Sequence, residues 1–157
     1  MCPNRRKVVV NRSNDGPAII RILLVDDFAP FRKTVRSLIQ LRPEWLVVGE
    51  ASDGLQALQK AEELKPDLVL LDIGLPKLSG FEVALRIREI SQESKILFLS
   101  QVSLTEVIRE AMSLGAAGYV VKTHAGTELL AGIEAVLRGE QFISSGFPDR
   151  NSKDDIK

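Results

Sequence analysis

The chain has 157 residues, with 21 Lys or Arg and 21 Asp or Glu, so its formal net charge at pH 7 is zero. A balanced charge creates no overall field that would attract nucleic acid or a membrane surface, and this length suffices for one domain with its own hydrophobic core. The only cysteine, Cys2, cannot form an intrachain disulfide, and no apolar run approaches the roughly 18 residues of a membrane span, so we expect a soluble, cytoplasmic protein.

Five short apolar runs along the chain predict buried strands. They lack the alternation of apolar and polar residues that marks a strand with one solvated face, and they are typical of strands covered on both faces, as in a parallel sheet. The runs lie at residues 20–25, 46–48, 68–71, 96–99 and 119–121.

Stretches with the apolar spacing of a helix alternate with these runs, so the sequence predicts five strand–helix units. Ser103 and Glu106 predict a capping box at the start of the fourth helix, and Thr123 is the predicted N-cap of the fifth helix, which should end at Gly139. Right-handed connections between the units then give an α/β fold with an open, doubly wound parallel sheet and helices on both faces.

The two ends of the sequence are polar and rich in Asn, Asp, Ser, Lys and Arg. This composition predicts disordered tails. We therefore expect one folded domain over residues 19–143, between tails at residues 1–18 and 144–157.

Polar residues follow four of the predicted strands, at the sheet edge where ligands bind in this class of fold. Asp26 and Asp27 follow the first strand, Asp72 the third, Ser100 the fourth and Lys122 the fifth. Any one of them alone could be a helix cap or a solvated loop residue. Together they favour a site, because clustered carboxylates need a cation and such hard oxygen ligands suit Mg²⁺.

Residues from about 20 to 140 resemble the receiver domain of two-component response regulators. The resemblance implies a flavodoxin-like, five-stranded parallel sheet in the order 2-1-3-4-5 with five helices. The motifs that carry it are, in order, LLVDD, DLVLLDIGLPKLSGFE, ILFLS and GAAGYVVK.

The resemblance also implies a role for each residue at the sheet edge. Asp72 would be the phosphoacceptor, which takes a phosphoryl group from a phosphohistidine on a sensor histidine kinase or a phosphotransfer protein. Asp26, Asp27 and Asp72, with the backbone carbonyl of Gly74, would hold Mg²⁺ as the cofactor, and Lys122 would supply a second positive charge.

The output of such a domain would begin at Ser100, whose hydroxyl would hydrogen-bond the phosphoryl group. Tyr119, three residues before Lys122, stands where the family has an aromatic switch residue that turns inward behind that hydroxyl. The surface made by the fourth helix, the fifth strand and the fifth helix would then change, and would signal to a partner or form a homodimer.

Three features resemble the receivers of NarL/LuxR-type transcription regulators in particular. Thr123 occupies the position where many receivers have a proline, and the phrases GAAGYVVK and GEQFIS are similar to theirs. Those regulators continue into a helix-turn-helix domain, but the residues after Phe147 contain no such pattern. We therefore expect no nucleic-acid binding by this chain alone, whether it is a stand-alone receiver or a shortened regulator.

Two alternatives compete with a phosphorylated receiver. Gln101 follows Ser100 where the family usually has a small residue, which leaves room for a receiver-like module that binds partners without phosphorylation. An aspartyl phosphatase would place a second acid two residues after its nucleophile, where this chain has Gly74. We therefore expect no enzyme activity beyond the domain's own phosphorylation and dephosphorylation.

Overall fold

The computed structural model describes residues 18–144, in which six strands and five helices follow one another. The strands are β1 (Ile20–Val25), β2 (Trp45–Ala51), β3 (Leu68–Leu71), β4 (Lys95–Ser100), β5 (Gly118–Val121) and β6 (Phe142–Ile143). The helices are α1 (Ala29–Ile39), α2 (Gly54–Leu64), α3 (Gly80–Ile90), α4 (Thr105–Ser113) and α5 (Ala125–Leu137), with a 3₁₀ turn at Lys122–His124.

All neighbouring strands are parallel, and their order in the sheet is β2-β1-β3-β4-β5-β6. The first five positions confirm the predicted order 2-1-3-4-5, and the doubly wound α/β fold with five helices is also confirmed. Apart from residues 18 and 144, the predicted tails lie outside the described residues.

The prediction of only five strands is wrong, because Phe142 and Ile143 pair with β5 as a sixth strand. The N–H of Ser144 donates to the Tyr119 carbonyl at 2.9 Å, and the N–H of Val121 donates to Ser144 Oγ at 2.8 Å. Ser144 Oγ thus takes the place that a backbone carbonyl would have in a longer parallel strand. Two residues are too few to give a periodic pattern, so this strand left no signal in the sequence.

The sheet is covered on both faces, as the unbroken apolar strands predict. On one face, alternate residues of the central strands pack with apolar residues of α2, α3 and α4. On the other face, the residues between them pack against α1 and α5. Because both faces are filled, the polar residues that follow the strands gather at the carboxyl edge of the sheet.

Both predicted helix starts differ from the structure. Helix α4 begins at Thr105 after Leu104, without a side-chain cap, so the capping box of Ser103 and Glu106 does not form. Thr123 lies inside the 3₁₀ turn that precedes α5, and α5 also lacks a side-chain cap. The turn uses the residues that would otherwise provide the cap.

Side-chain caps occur instead at the starts of α2 and α3. Asp53 Oδ1 accepts the N–H of Gln56 at 2.8 Å at the start of α2. Ser79 Oγ accepts the N–H of Glu82 at 3.2 Å at the start of α3. These bonds satisfy N–H groups that a helix start would otherwise leave unpaired.

Candidate phosphoacceptor and metal site

The three predicted carboxylates meet at the carboxyl edge of the sheet. Asp26 and Asp27 follow β1, Asp72 follows the adjacent β3, and one carboxylate oxygen from each lies within 4.8 Å of the others. Asp26 and Asp72 are buried, with 2% and 7% of their surface exposed, whereas Asp27 is exposed to solvent. The cluster is therefore a recess with one open side.

Lys122 provides the positive charge of this recess. Its Nζ lies 2.6 Å from Asp26 Oδ2 and 3.2 Å from Asp72 Oδ2, and only 10% of its side chain is exposed. The ammonium also lies 4.7 Å from the ring centroid of Phe31 on α1, a distance at which the ring face attracts a cation. Lys122 thus joins two strands that carry acids.

Burial and neighbouring charges shift two pKa values in the recess. Burial raises the pKa of the Asp72 carboxyl and Asp26 adds to the effect, which together outweigh the opposing attraction of Lys122. Burial alone would lower the pKa of Lys122, but the hydrogen bond to Asp26 and the negative charges of Asp72 and Asp26 raise it overall. Because Lys122 does not fully offset the effect of burial, a further positive charge at this site would stabilise the ionised carboxylate of Asp72.

Gly74 lies at the same pocket, two residues after Asp72, and its N–H donates to Asp72 Oδ1 at 3.4 Å. A Cβ atom at this position would meet no atom beyond the adjoining residues within 4 Å, so the loop is open around it. The predicted role of the Gly74 carbonyl as a ligand stays a prediction.

Ser100 and Tyr119 are linked through the backbone of Val102. Ser100 Oγ accepts the N–H of Val102 at 3.1 Å, and Tyr119 Oη donates to the Val102 carbonyl at 2.7 Å. Tyr119 is fully buried beside Phe98, and this burial raises the pKa of its hydroxyl despite the opposing contact with Ser100. The aromatic ring therefore already lies inward, behind the Ser100 hydroxyl.

One open pocket contains most of these groups. Phe28 and Phe31 form two aromatic walls of this pocket. The sequence alone does not place them at the site, because their positions depend on how α1 packs on the sheet. The lining residues are Asp27, Phe28, Phe31, Asp72, Gly74, Ser100, Gln101, Val102, Lys122 and Thr123.

The donor set of the recess fits a hard divalent cation such as Mg²⁺. The carboxylate oxygens are close enough to share one ion. Asp26 Oδ1 accepts the N–H of Phe28 at 2.9 Å and its Oδ2 lies 2.6 Å from Lys122 Nζ, whereas the corresponding contacts of Asp72 are longer, at 3.4 Å and 3.2 Å, and the Asp27 carboxylate is exposed. Among residues 18–144, none of the helices has the length and hydropathy that crossing a membrane requires.

Comparison with known proteins agrees with this geometry. The family model for the response regulator receiver domain matches residues 22–134, a range that contains all the site residues named above. The chain belongs to the response regulator receiver family. Proteins of this family typically bind Mg²⁺ at such an acidic cluster, and they interact with histidine kinases or phosphotransfer proteins.

Individual relatives agree with the NarL/LuxR-type resemblance. The receiver is 39% identical over 132 residues to the nitrate/nitrite response regulator protein NarL of Escherichia coli K12, which covers 84% of this chain and 60% of that protein. It superimposes on the crystal structure of a LuxR-family two-component response regulator from Aurantimonas sp. SI85-9A1 with a TM-score of 0.79 and 35% identity. That match covers 83% of this chain and 93% of the other.

A third relative is an enzyme by name. The receiver is 39% identical over 115 residues to a protein-glutamate methylesterase/protein-glutamine glutaminase of Thermotoga maritima, covering 71% of this chain and 33% of that protein. The chain thus spans about three fifths of one curated relative and one third of another. Receivers with similar sequences therefore occur in longer proteins of different activity.

Proposed function

We propose that this receiver accepts a phosphoryl group on Asp72 from a phosphohistidine of a sensor kinase or phosphotransfer protein in the cytoplasm. The observation that carries the proposal is the contact of Lys122 Nζ with Asp72 Oδ2 at 3.2 Å, in a pocket that Ser100 and Asp27 also line, with the carboxylate of Asp26 close by. A solvated acid would lack both the fixed cation and the hydroxyl.

The chemistry is a transfer between two nucleophiles. An oxygen of the Asp72 carboxylate attacks phosphorus, the P–N bond of the phosphohistidine breaks, and the electron pair of that bond stays with the imidazole. Phosphoryl transfer is accelerated mainly by positioning and by positive charge near the phosphoryl oxygens. Lys122 supplies such charge from the chain itself, because its Nζ is already held between Asp26 and Asp72.

Asp26, Asp27 and Asp72, with the Gly74 carbonyl, are the residues that would hold Mg²⁺. When bound, the ion would neutralise the carboxylates and the negative charge of the phosphoryl oxygens. Without such a cation, burial and, to a smaller extent, the charge of Asp26 raise the pKa of Asp72, and Lys122 alone does not fully compensate these effects.

Ser100 and Tyr119 offer a route from the site to the surface. A phosphoryl group adds a charge of about −1.5 to −2 and three strong acceptors, so it would attract the Ser100 hydroxyl. The N–H of Val102 would then lose its acceptor, and the Tyr119 hydroxyl is bonded to the same residue. The change would therefore reach the loop before α4, and with it the surface of α4, β5 and α5 that would meet a partner or form a homodimer.

The test is the intact mass of the protein after incubation with acetyl phosphate, with and without Mg²⁺. We expect a Mg²⁺-dependent gain of one phosphoryl group in the natural sequence. Asp72→Asn removes the nucleophile while keeping nearly the same shape, and should abolish the gain.

Two outcomes would count against the proposal. A gain that persists in Asp72→Asn would place the phosphoryl group on another residue. No gain in a folded natural chain that binds Mg²⁺ would instead favour a binding module that acts without phosphorylation.

A further inference from the structure

Arg32, on α1, contacts the main chain of the acid pair. Its Nη1 donates to the backbone carbonyl of Asp26 at 2.6 Å, and its Nε donates to Glu50 Oε1 at 2.8 Å. The second oxygen of Glu50 accepts from Arg36 Nη1 at 2.5 Å. Glu50 lies on β2, next to β1 in the sheet, so an edge strand and a helix together fix the direction of the Arg32 guanidinium.

This contact completes the hydrogen bonding of Asp26. The N–H of Asp26 donates to the Ala51 carbonyl at 3.0 Å, while its two carboxylate oxygens accept from the N–H of Phe28 and from Lys122. Arg32 supplies the partner of the remaining polar group, the carbonyl. All four polar groups of Asp26, which is almost fully buried, therefore have hydrogen-bond partners. These contacts also fix the peptide between Asp26 and Asp27.

We propose that Arg32, held by Glu50, is a positioning residue that sets the Asp26–Asp27 peptide for divalent-cation binding. The proposal rests on the proposed function, because it assumes that the acid cluster binds the cation. Mutation of residues that orient metal ligands from behind typically costs roughly 10–100-fold in metal affinity or activity.

Glu50 has a second effect in this arrangement. If Glu50 were removed, the flexible Arg32 side chain, whose Nη1 already contacts the Asp26 carbonyl, would be free to turn toward the neighbouring carboxylates. A guanidinium paired with these carboxylates would compete with a divalent cation. With Glu50 in place, the positive charge is directed at a carbonyl, and the carboxylate of Asp27 stays exposed.

The experiment measures Mg²⁺ affinity by titration, followed through amide chemical shifts, for the natural chain, Arg32→Met and Glu50→Ala. Long-range charge alone would move the two variants in opposite directions, because one loses a positive charge and the other a negative charge. Positioning weakens Mg²⁺ binding in both. We expect each variant to bind on the order of 10-fold more weakly than the natural chain.

Two further variants control this result. Glu134→Ala breaks a comparable ion pair, with Arg42 Nη2 at 2.8 Å, away from the acid cluster, and its Mg²⁺ affinity should equal that of the natural chain. Arg32→Lys keeps the charge but lacks the planar fork that holds Glu50 and a carbonyl together, and should also weaken binding. If Arg32→Met fails to fold, the Mg²⁺ affinity of Arg32→Lys tests the positioning role instead.

The outcomes separate the two proposals. Opposite shifts for Arg32→Met and Glu50→Ala, or natural affinity in Arg32→Lys and Glu50→Ala, would overturn the positioning role while leaving the site intact. A natural chain that binds no Mg²⁺ and takes no phosphoryl group from acetyl phosphate would overturn the proposed function instead.

Discussion

The ion pairs at the carboxyl edge of the sheet and those on the outer helices use the same chemical groups in different surroundings. Lys122 Nζ lies 2.6 Å from Asp26 Oδ2, with side chains that are 10% and 2% exposed. On α3, Arg86 Nη2 lies 3.1 Å from Glu82 Oε2, with side chains that are 52% and 48% exposed. Both contacts satisfy the geometry of a salt bridge, so distance does not distinguish them.

Burial is the property that separates the two regions. An exposed pair exchanges its contact with water at little cost, whereas a buried charge that loses its partner is left without solvation. The pKa values of Asp72 and Lys122 are shifted because these groups are buried next to charges. The comparison predicts that substitutions at the sheet edge change stability more than substitutions of similar chemistry on the helices.

The largest expected effect is that of Lys122→Met. It leaves two buried carboxylates without their cation, so we expect a loss of about 3 kcal/mol in the free energy of unfolding at neutral pH without divalent ions. Urea denaturation measures this loss, and added Mg²⁺ should restore part of it.

Lys77→Met is the matched control for that substitution. Lys77 Nζ lies 3.4 Å from Asp53 Oδ2, and 59% of the Lys77 side chain is exposed. The Asp53 side chain is only 10% exposed, but its Oδ1 keeps the hydrogen bond from the N–H of Gln56 when Lys77 is removed, so the urea midpoint should change little. Equal losses in the two variants would show that burial at the sheet edge does not determine the energy of the Lys122 contacts.

A smaller effect is expected from Asp72→Asn, and it should depend on pH. The pKa of Asp72 is raised above its ordinary value of 3.8, so its charged form is less favourable in the folded state than in the unfolded state. Stability is therefore lost as the pH rises through the folded pKa, and asparagine avoids this loss. Asp72→Asn should be more stable than the natural chain at neutral pH, with a gain that disappears as the pH falls toward 3.8.

Asp53→Asn provides a control of opposite sign. The hydrogen bond from the N–H of Gln56 and the nearby Lys77 lower the pKa of Asp53, so its charge favours folding above its ordinary pKa. This variant should be less stable than the natural chain at neutral pH, and the difference should shrink on acidification. A pH-independent difference for Asp72→Asn would contradict the role of burial at that site.

The smallest effect is expected from Arg86→Met on α3. Its contact with Glu82 is an exposed pair four residues apart on one helix, a type that contributes about 0.2–0.5 kcal/mol. Urea denaturation at low and high salt should give a small loss that salt reduces further. A loss as large as that of Lys122→Met would remove the distinction between the two regions.

The sequence predicts the position of a polar residue well where that residue directly follows, or ends, an apolar strand. Asp26, Asp72 and Ser100 directly follow, or end, apolar strands, and parallel strands bring their carboxyl ends to one edge. The strand order came from the resemblance of the motifs to the receiver family, not from the periodicity of the apolar residues.

The sequence was less informative where a position depends on neighbours that are distant along the chain. The direction of Arg32 is determined by Glu50, 18 residues later, and no local pattern reports such a pair. At Ser103, a local capping pattern was present, but α4 starts one residue too late to use it. Local propensity indicates where a helix can begin, whereas packing decides where it does begin.

The side chain of Ser144, which directly follows β6, affects the design of fragments and fusions. Ser144 Oγ accepts the N–H of Val121, the residue immediately before Lys122. A fragment cut before Ser144 would leave that N–H without its acceptor and would shorten the pairing along the outer edge of β5. A fragment or fusion should therefore extend at least through residue 144, so that the hydrogen bonds along this edge of the sheet, beside the phosphoacceptor pocket, are kept.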